Sequence, residues 1–150
     1  MIQRHGWNLL IHECLIEQLH KLETAASRAK AQDPVGFESN ANVKLFDAVA
    51  TLILEVVPSD PSRDEYRQGN TMGPEFRHWR RAKIGRRFRL FFRFDSKTQI
   101  IIFAWVNDEY TLRSSGAKTD PCLVFQKMLK SGHPPDDWDD FFPPEARVTV

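Results

Sequence analysis

The spacing of apolar positions changes along the chain, and each change marks a new element. Gly6 to His12, G-W-N-L-L-I-H, is apolar but too short to persist as an isolated helix, so it predicts a first strand. From there to about Gln32, Leu15, Leu19, Leu22, Ala26 and Ala29 recur at helical spacing, with Lys21, Glu23, Arg28 and Lys30 off that stripe. The pattern predicts an amphipathic helix ending near Asp33-Pro34, because proline disfavours helical backbone in the residue before it. A second helix is predicted over Phe37 to Val57, burying Leu45, Val49, Leu52 and Val56 with Phe46 and Ile53 beside them, and stopping at Pro58. Ser59 to Pro74 has no period and holds Pro61, Gly69 and Gly73, which predicts a long loop of the kind that is often functional or mobile.

Alternation begins at Trp79. A strand to Ile84 places Trp79, Arg81 and Lys83 on one face and Arg80, Ala82 and Ile84 on the other. Gly85 marks a turn, after which Phe88, Leu90, Phe92 and Phe94 share one face while Arg89, Phe91 and Arg93 take the opposite one, completing a hairpin. Asp95-Ser96-Lys97 turns the chain into Gln99 to Val106, Q-I-I-I-F-A-W-V, whose unbroken β-branched and aromatic character predicts a central strand covered on both faces. The two helices, packed on one face, would supply much of that cover. A last helix starts at Asp120-Pro121, a capping residue followed by a proline suited to the first helical position. Its core residues are Val124, Phe125, Met128 and Leu129, Lys127 and Lys130 sit near its negative end, and Gly132 suits a left-handed cap before Pro134-Pro135. The tail D-D-W-D-D-F-F-P-P is acidic and aromatic, fit to fold back on the body or to meet a partner.

Composition narrows the class. With 150 residues, 41% hydrophobic and 27% charged, residues 1–150 are expected to form one α+β domain with a sizeable core. The longest apolar run, Ile100 to Val106, is far below the roughly eighteen residues a membrane span needs, so a soluble, cytoplasmic protein without a signal peptide is expected. Cys14 and Cys122 are too few and too far apart for a disulfide framework.

Charge changes the picture more. The net charge is only +1, yet Arg77 to Arg93, R-H-W-R-R-A-K-I-G-R-R-F-R-L-F-F-R, holds eight Lys or Arg residues and no carboxylate. Cations held on a pleat at that density predict contact with a polyanion. A second polar concentration, Asn107 to Asp120, follows the central strand directly, so Asn107, Asp108, Glu109, Tyr110, Arg113 and Lys118 would hang from a sheet edge beside the hairpin. Asp108 and Glu109 read equally well as ion-pair partners of nearby arginines. There is no H-E-x-x-H, no C-x-x-C and no G-x-S-x-G. His12 and Cys14 flank Glu13, but a closed zinc site needs four well-placed ligands and no second pair is visible, so neither metal nor cofactor is expected. His133, beside a helix cap, is expected to make a hydrogen bond or a dipole contact there.

Hairpin and loop together suit one chemistry. Metal-free RNA cleavage must deprotonate a ribose 2′-hydroxyl, stabilise a phosphorane dianion and protonate the leaving 5′-oxygen. Fixed guanidinium groups suit the dianion, and Lys83, crowded by like charges, suits a base or proton relay. The chain resembles the YhaV family of bacterial toxins, within the RelE superfamily. The resemblance lies in W-R-R-A-K-I-G-R-R-F-R-L-F-F-R, I-I-I-F-A-W-V-N-D-E-Y-T-L-R-S-S-G-A-K-T-D and V-F-Q-K-M-L-K-S-G-H-P-P-D-D-W, between Trp79 and Trp138. It implies a RelE-like fold, N-terminal helices packed on an antiparallel sheet with a further C-terminal helix, and a toxin that cleaves mRNA and stops translation. It also implies a PrlF-like antitoxin partner, with operator DNA bound only through that complex.

The basic strand residues of such toxins align with Arg81, Lys83 and Arg89, and Arg113 is the candidate for a further arginine. Around the scissile phosphate, Arg80, Arg86, Arg87, Arg93, Tyr110 and Lys118 are expected to contact RNA, with Asn107, Asp108 and Glu109 in support. RelE-type toxins often carry a functional tyrosine near the chain end; this chain has none there. The rival reading is a non-catalytic nucleic-acid-binding module, since phosphate affinity also accounts for clustered cations and stacking aromatics. A third reading makes the patch a receptor for an acidic protein partner.

Overall fold

The computed structural model describes residues 2–68, 72–107 and 121–142. Its strands are β1 (Ile2–Arg4), β2 (Trp7–Ile11), β3 (Arg80–Ile84), β4 (Phe88–Asp95) and β5 (Ile100–Val106), joined in one sheet of order β1-β2-β5-β4-β3. The principal helices are α1 (Glu13–Gln32), α2 (Ala41–Thr51) and α3 (Pro121–Ser131). β5 lies at the centre, as its apolar run predicted.

The sheet is mixed rather than antiparallel throughout. β2 runs parallel to β5, with Asn8 opposite Ile100 and Ile11 opposite Phe103. A parallel neighbour needs a crossover rather than a hairpin, and the helical segment between β2 and the basic hairpin provides the return path. β1 left no pattern to read, since it is three residues long and exposed throughout. It is made by a two-residue turn at His5 (φ 53) and Gly6 (φ 82), the left-handed pair that tight hairpins favour.

The second helix differs from its predicted bounds at both ends. Asn40, whose side chain accepts from the amides of Asn42 and Val43, starts α2 later than Phe37, and Phe37–Ser39 forms a separate 3-10 turn. Past Thr51 the chain widens into a π-helical stretch, Leu52–Val56, and ends in the turn Val57–Ser59. Pro58 therefore lies inside the last turn. It has no N–H to give, and the wider turn comes just where its ring would crowd the preceding carbonyls.

Each face of the sheet carries its own core. On one, Leu15 of α1 and Val49 of α2 pack against Ala82, Leu90, Phe92 and Phe103. On the other, Phe125 and Leu129 of α3 pack against Trp79, Phe91, Ala104 and Trp105. The hairpin alternation read from the sequence thus holds on both strands. Phe125 is fully buried, stacked on Phe91 at 4.4 Å and on Trp105 at 5.8 Å between ring centroids, so Phe125→Ala should destabilise by about 3–5 kcal/mol. Of the aromatics between the cations, Trp79, Phe91 and Phe92 are fully buried, while Phe88 is half-buried against the first core.

One irregularity matters for the site. Phe91 pairs with Trp105 but Phe92 with Phe103, so Ala104 is an extra residue on β5 and lies with Trp105 against α3. The shift of one residue brings Asn107, not Val106, beside Arg89.

Ser59 to Pro74 is packed down where it is described. Tyr66 and Met72 are buried, and the Gln68 side-chain amide donates to the carbonyls of Phe76 and Trp79 at 2.8 and 3.0 Å. Residues 69–71 lie outside the described residues. The acidic tail folds back: Asp136 accepts from Nε2 of His78 at 2.7 Å and from Nε1 of Trp79 at 2.9 Å, and Phe141 joins the second core. No described helix is long and apolar enough to cross a membrane.

Candidate functional site

Arg81, Lys83 and Arg89 emerge on the same face of the β3–β4 hairpin, the face that also carries α3. Lys83 stands directly opposite Arg89 in the ladder. Like charges so placed destabilise a sheet by roughly 0.2–1 kcal/mol, an arrangement that an anion relieves. Among the described residues none of the three makes an ion pair.

Two of the three are held in place. The Arg81 guanidinium donates through Nη1 to the Cys122 sulfur at 3.1 Å, while its buried Nε has no hydrogen-bond partner among the described residues. A buried cationic N–H left unpaired is costly, so the site is short of an acceptor. Arg89 turns back on its own turn, donating through Nη1 to the carbonyls of Phe88 at 2.9 Å and Arg86 at 3.3 Å. Asn107 is fully buried and clamps this region: Oδ1 accepts from the Arg89 amide, Nδ2 donates to the Arg87 carbonyl at 2.9 Å, and its own amide reaches the Arg89 carbonyl. Its side chain, expected in support of the site, is taken up in holding the backbone of Arg87 and Arg89. Arg86 and Arg87 are exposed at the turn, which Gly85 opens with φ 58. Asp108, Glu109, Tyr110, Arg113 and Lys118 lie outside the described residues.

The other expected cations are engaged elsewhere. Arg80 is on the α1–α2 face, its guanidinium 5.6 Å from the centre of the Phe94 ring, and burial lowers its pKa, with Arg67 adding to the shift. Arg93 lies between Trp79 and Trp138, 5.5 and 5.1 Å from their ring centres, and donates to the Asp136 carbonyl. Burial lowers its pKa too, against the opposing pull of Asp136, Asp137 and Asp95.

Two partners were not visible in the sequence: Cys122, which carried no motif, and Asp136, one acid in an acidic run. A third grouping lies apart. His12, Cys14 and His133 each bring a ligand atom within 4.8 Å of the others. Burial and the neighbouring His133 lower the His12 pKa, which keeps that ring neutral at neutral pH, and burial with Glu13 and Glu17 pushes the Cys14 thiol up to about 11. The spacing of His12 and Cys14 was legible; the histidine that completes the group is remote in sequence.

Around Arg81, Lys83 and Arg89 the hairpin face therefore offers fixed guanidinium donors and an ammonium group with no carboxylate paired to them among the described residues, a set that can bind a phosphodiester and stabilise added charge on it. A protein-family model described as a toxin with endonuclease activity, of a toxin-antitoxin system, matches residues 9–145. Ribonuclease toxin YhaV of Escherichia coli K12 is 42% identical over 137 residues, covering 90% of this chain and 89% of that protein. Toxin YhaV of Escherichia coli O157:H7 matches to the same extent. No solved structure matches the chain.

Proposed function

The chain belongs to the YhaV toxin family, endonucleases of toxin-antitoxin systems, and from that premise we propose a ribonuclease that cuts mRNA without a metal ion at the reacting phosphate. The observation that carries this reading is the convergence of Arg81, Lys83 and Arg89 on one rigid face with no ion-pair partner among the described residues. The ribose 2′-hydroxyl attacks the adjacent phosphorus. Lys83 takes its proton and relays it to the 5′-oxygen, which leaves as a hydroxyl when its bond to phosphorus breaks, and Arg81 and Arg89 hold the charge that builds on the phosphorane oxygens. A cluster of cations repels a further cation, which is why magnesium does not belong at this phosphate. Arg113 completes the charged set, Arg86 and Arg87 with Tyr110 and Lys118 hold flanking nucleotides, and Asn107 keeps the turn in register.

The partner of this toxin is a PrlF-like antitoxin that masks the basic face, and operator DNA is bound only through that complex. The fold is RelE-like and single-domain, a reading supported by helices packed on a sheet whose basic hairpin adjoins the central strand. Cleavage of cytoplasmic mRNA, free or on the ribosome, halts translation and growth. A stacking module for single strands gains no support from Trp79, Phe91 and Phe92, which have no exposed faces.

The chemistry is tested by the ends of the products. Attack by the 2′-hydroxyl leaves a 2′,3′-cyclic phosphate or 3′-phosphate and a 5′-hydroxyl. Products with a 5′-phosphate and 3′-hydroxyl would mean that activated water is the nucleophile, and the mechanism would be wrong.

A further inference from the structure

The structure brings together three side chains that metals favour, at a place remote from the basic hairpin in both sequence and chemistry. His12 and Cys14 sit where β2 passes into α1, and His133 sits just beyond α3. Rigid backbone fixes both sides. His12 is the N-cap of α1, and its amide is bonded to the Phe103 carbonyl of β5 at 2.9 Å. His133 is set by a left-handed helix end: Gly132 has φ 87, its amide reaches the Leu129 carbonyl, and the His133 amide reaches that of Met128. The His12 ring packs edge-on against Phe141 at 5.4 Å and against the His133 ring at 5.3 Å.

We propose that His12, Cys14 and His133 form a binding site for one divalent transition-metal ion of zinc's class, with Glu13 as the fourth ligand. The ligand atoms of the three lie within 4.8 Å of one another, and Nε2 of His133 is 3.6 Å from Oε1 of Glu13. Across an edge of a tetrahedral zinc shell, ligand atoms stand about 3.3–3.6 Å apart. The histidine–carboxylate spacing falls at the upper edge of that range, and the three-residue group, at up to 4.8 Å, contracts onto an ion only if exposed His133 and half-buried Cys14 rotate inward together with exposed Glu13. Two imidazoles and a thiolate are a borderline-soft set, suited to zinc and cobalt and unsuited to magnesium or calcium. Binding replaces the thiol proton of Cys14, which leaves to solvent, and draws on the His12 ring, whose Nδ1 now accepts a long 3.2 Å bond from the Cys14 amide. The ion would fasten the start of α1 to the end of α3. Cys122, the Arg81 partner, lies at the other end of α3, roughly 16 Å away at the rise of an α-helix.

The test uses the purified chain, stripped with chelator and titrated separately with zinc, cobalt and magnesium. Zinc is expected to bind one equivalent per chain and to raise Tm, and magnesium to do neither. Cobalt is expected to give intense tetrahedral visible bands and a near-ultraviolet thiolate charge-transfer band. Cys14→Ser should abolish the charge-transfer band. His133→Ala should weaken zinc by more than the roughly 10–100-fold that loss of an outer-shell partner costs. Circular dichroism of both metal-free variants guards against misfolding, and Arg89→Ala should bind zinc as the parent does. Cobalt bound without a thiolate band, zinc binding untouched by His133→Ala, or no zinc-dependent rise in Tm would each overturn the proposal.

Discussion

The two ends of the basic hairpin have the same composition and opposite fates. Near the turn, Lys83, Arg86, Arg87 and Arg89 face one another or solvent, with no carboxylate paired to them among the described residues, and a buried amide, Asn107, holds their backbone in place. At the far end, Arg93 is enclosed by Trp79, Trp138 and the Asp136 carbonyl, and Arg80 lies on Phe94. Charge density along a sequence is therefore not charge on offer. The folded-back tail makes the difference for Arg93, to which it supplies the Trp138 ring and the Asp136 carbonyl, while Arg80 leans on Phe94 of its own hairpin.

The comparison breaks most sharply at turnover. Arg81→Ala or Arg89→Ala should lower the single-turnover cleavage rate on the order of a hundredfold or more with the fold intact, since in the proposed mechanism each removes a donor to the transition state. A fully active Arg89→Ala would place the chemistry elsewhere. Asn107→Ala should lower the unfolding free energy by about 1–3 kcal/mol, because the Arg87 carbonyl and Arg89 amide lose a buried partner, and should slow cleavage as the turn loosens. Denaturant melts and rates on the same preparation check both.

At the far end the expected effects are smaller and of another kind. Arg93→Ala should lower stability by about 1–2 kcal/mol through its two ring contacts, leaving turnover per folded molecule unchanged. A loss of rate at saturating RNA, with stability intact, would put Arg93 among the reacting groups. Smallest should be Arg86→Ala, a weakening of RNA affinity whose salt dependence drops by about one phosphate contact. That defect should vanish at saturating substrate.

The parts legible in the sequence share one property, which is that neighbouring residues carry them. Period two placed Arg81 and Lys83 on one face of their strand and Arg89 on the face away from Phe88 on the next, and the stripe of α1 and the stop at Gly132 were written locally; the register that sets Lys83 opposite Arg89 was not. The parts not legible depend on remote residues or on departures from period. β2 joins β5 across about ninety residues. The extra residue at Ala104 is invisible in an unbroken apolar run, yet it sets Asn107 beside Arg89. Asp136 and His133 acquire their meaning only when the tail and α3 close on the second face, and the candidate residues between 108 and 120 lie outside the described residues.

The parallel pairing of β2 with β5 has a consequence for the chain as it is made. Synthesis proceeds at about 5–20 residues per second, so β2 waits some 5–20 s for the strand that will lie beside it. Until then α1 and α2 have only two unjoined hairpins to cover, and the cations of β3 and β4 lack the central strand that stiffens their pleat. The basic face thus gains its central support only after Val106 has been made, so the scaffold that holds the cations is completed by its middle strand and late in synthesis.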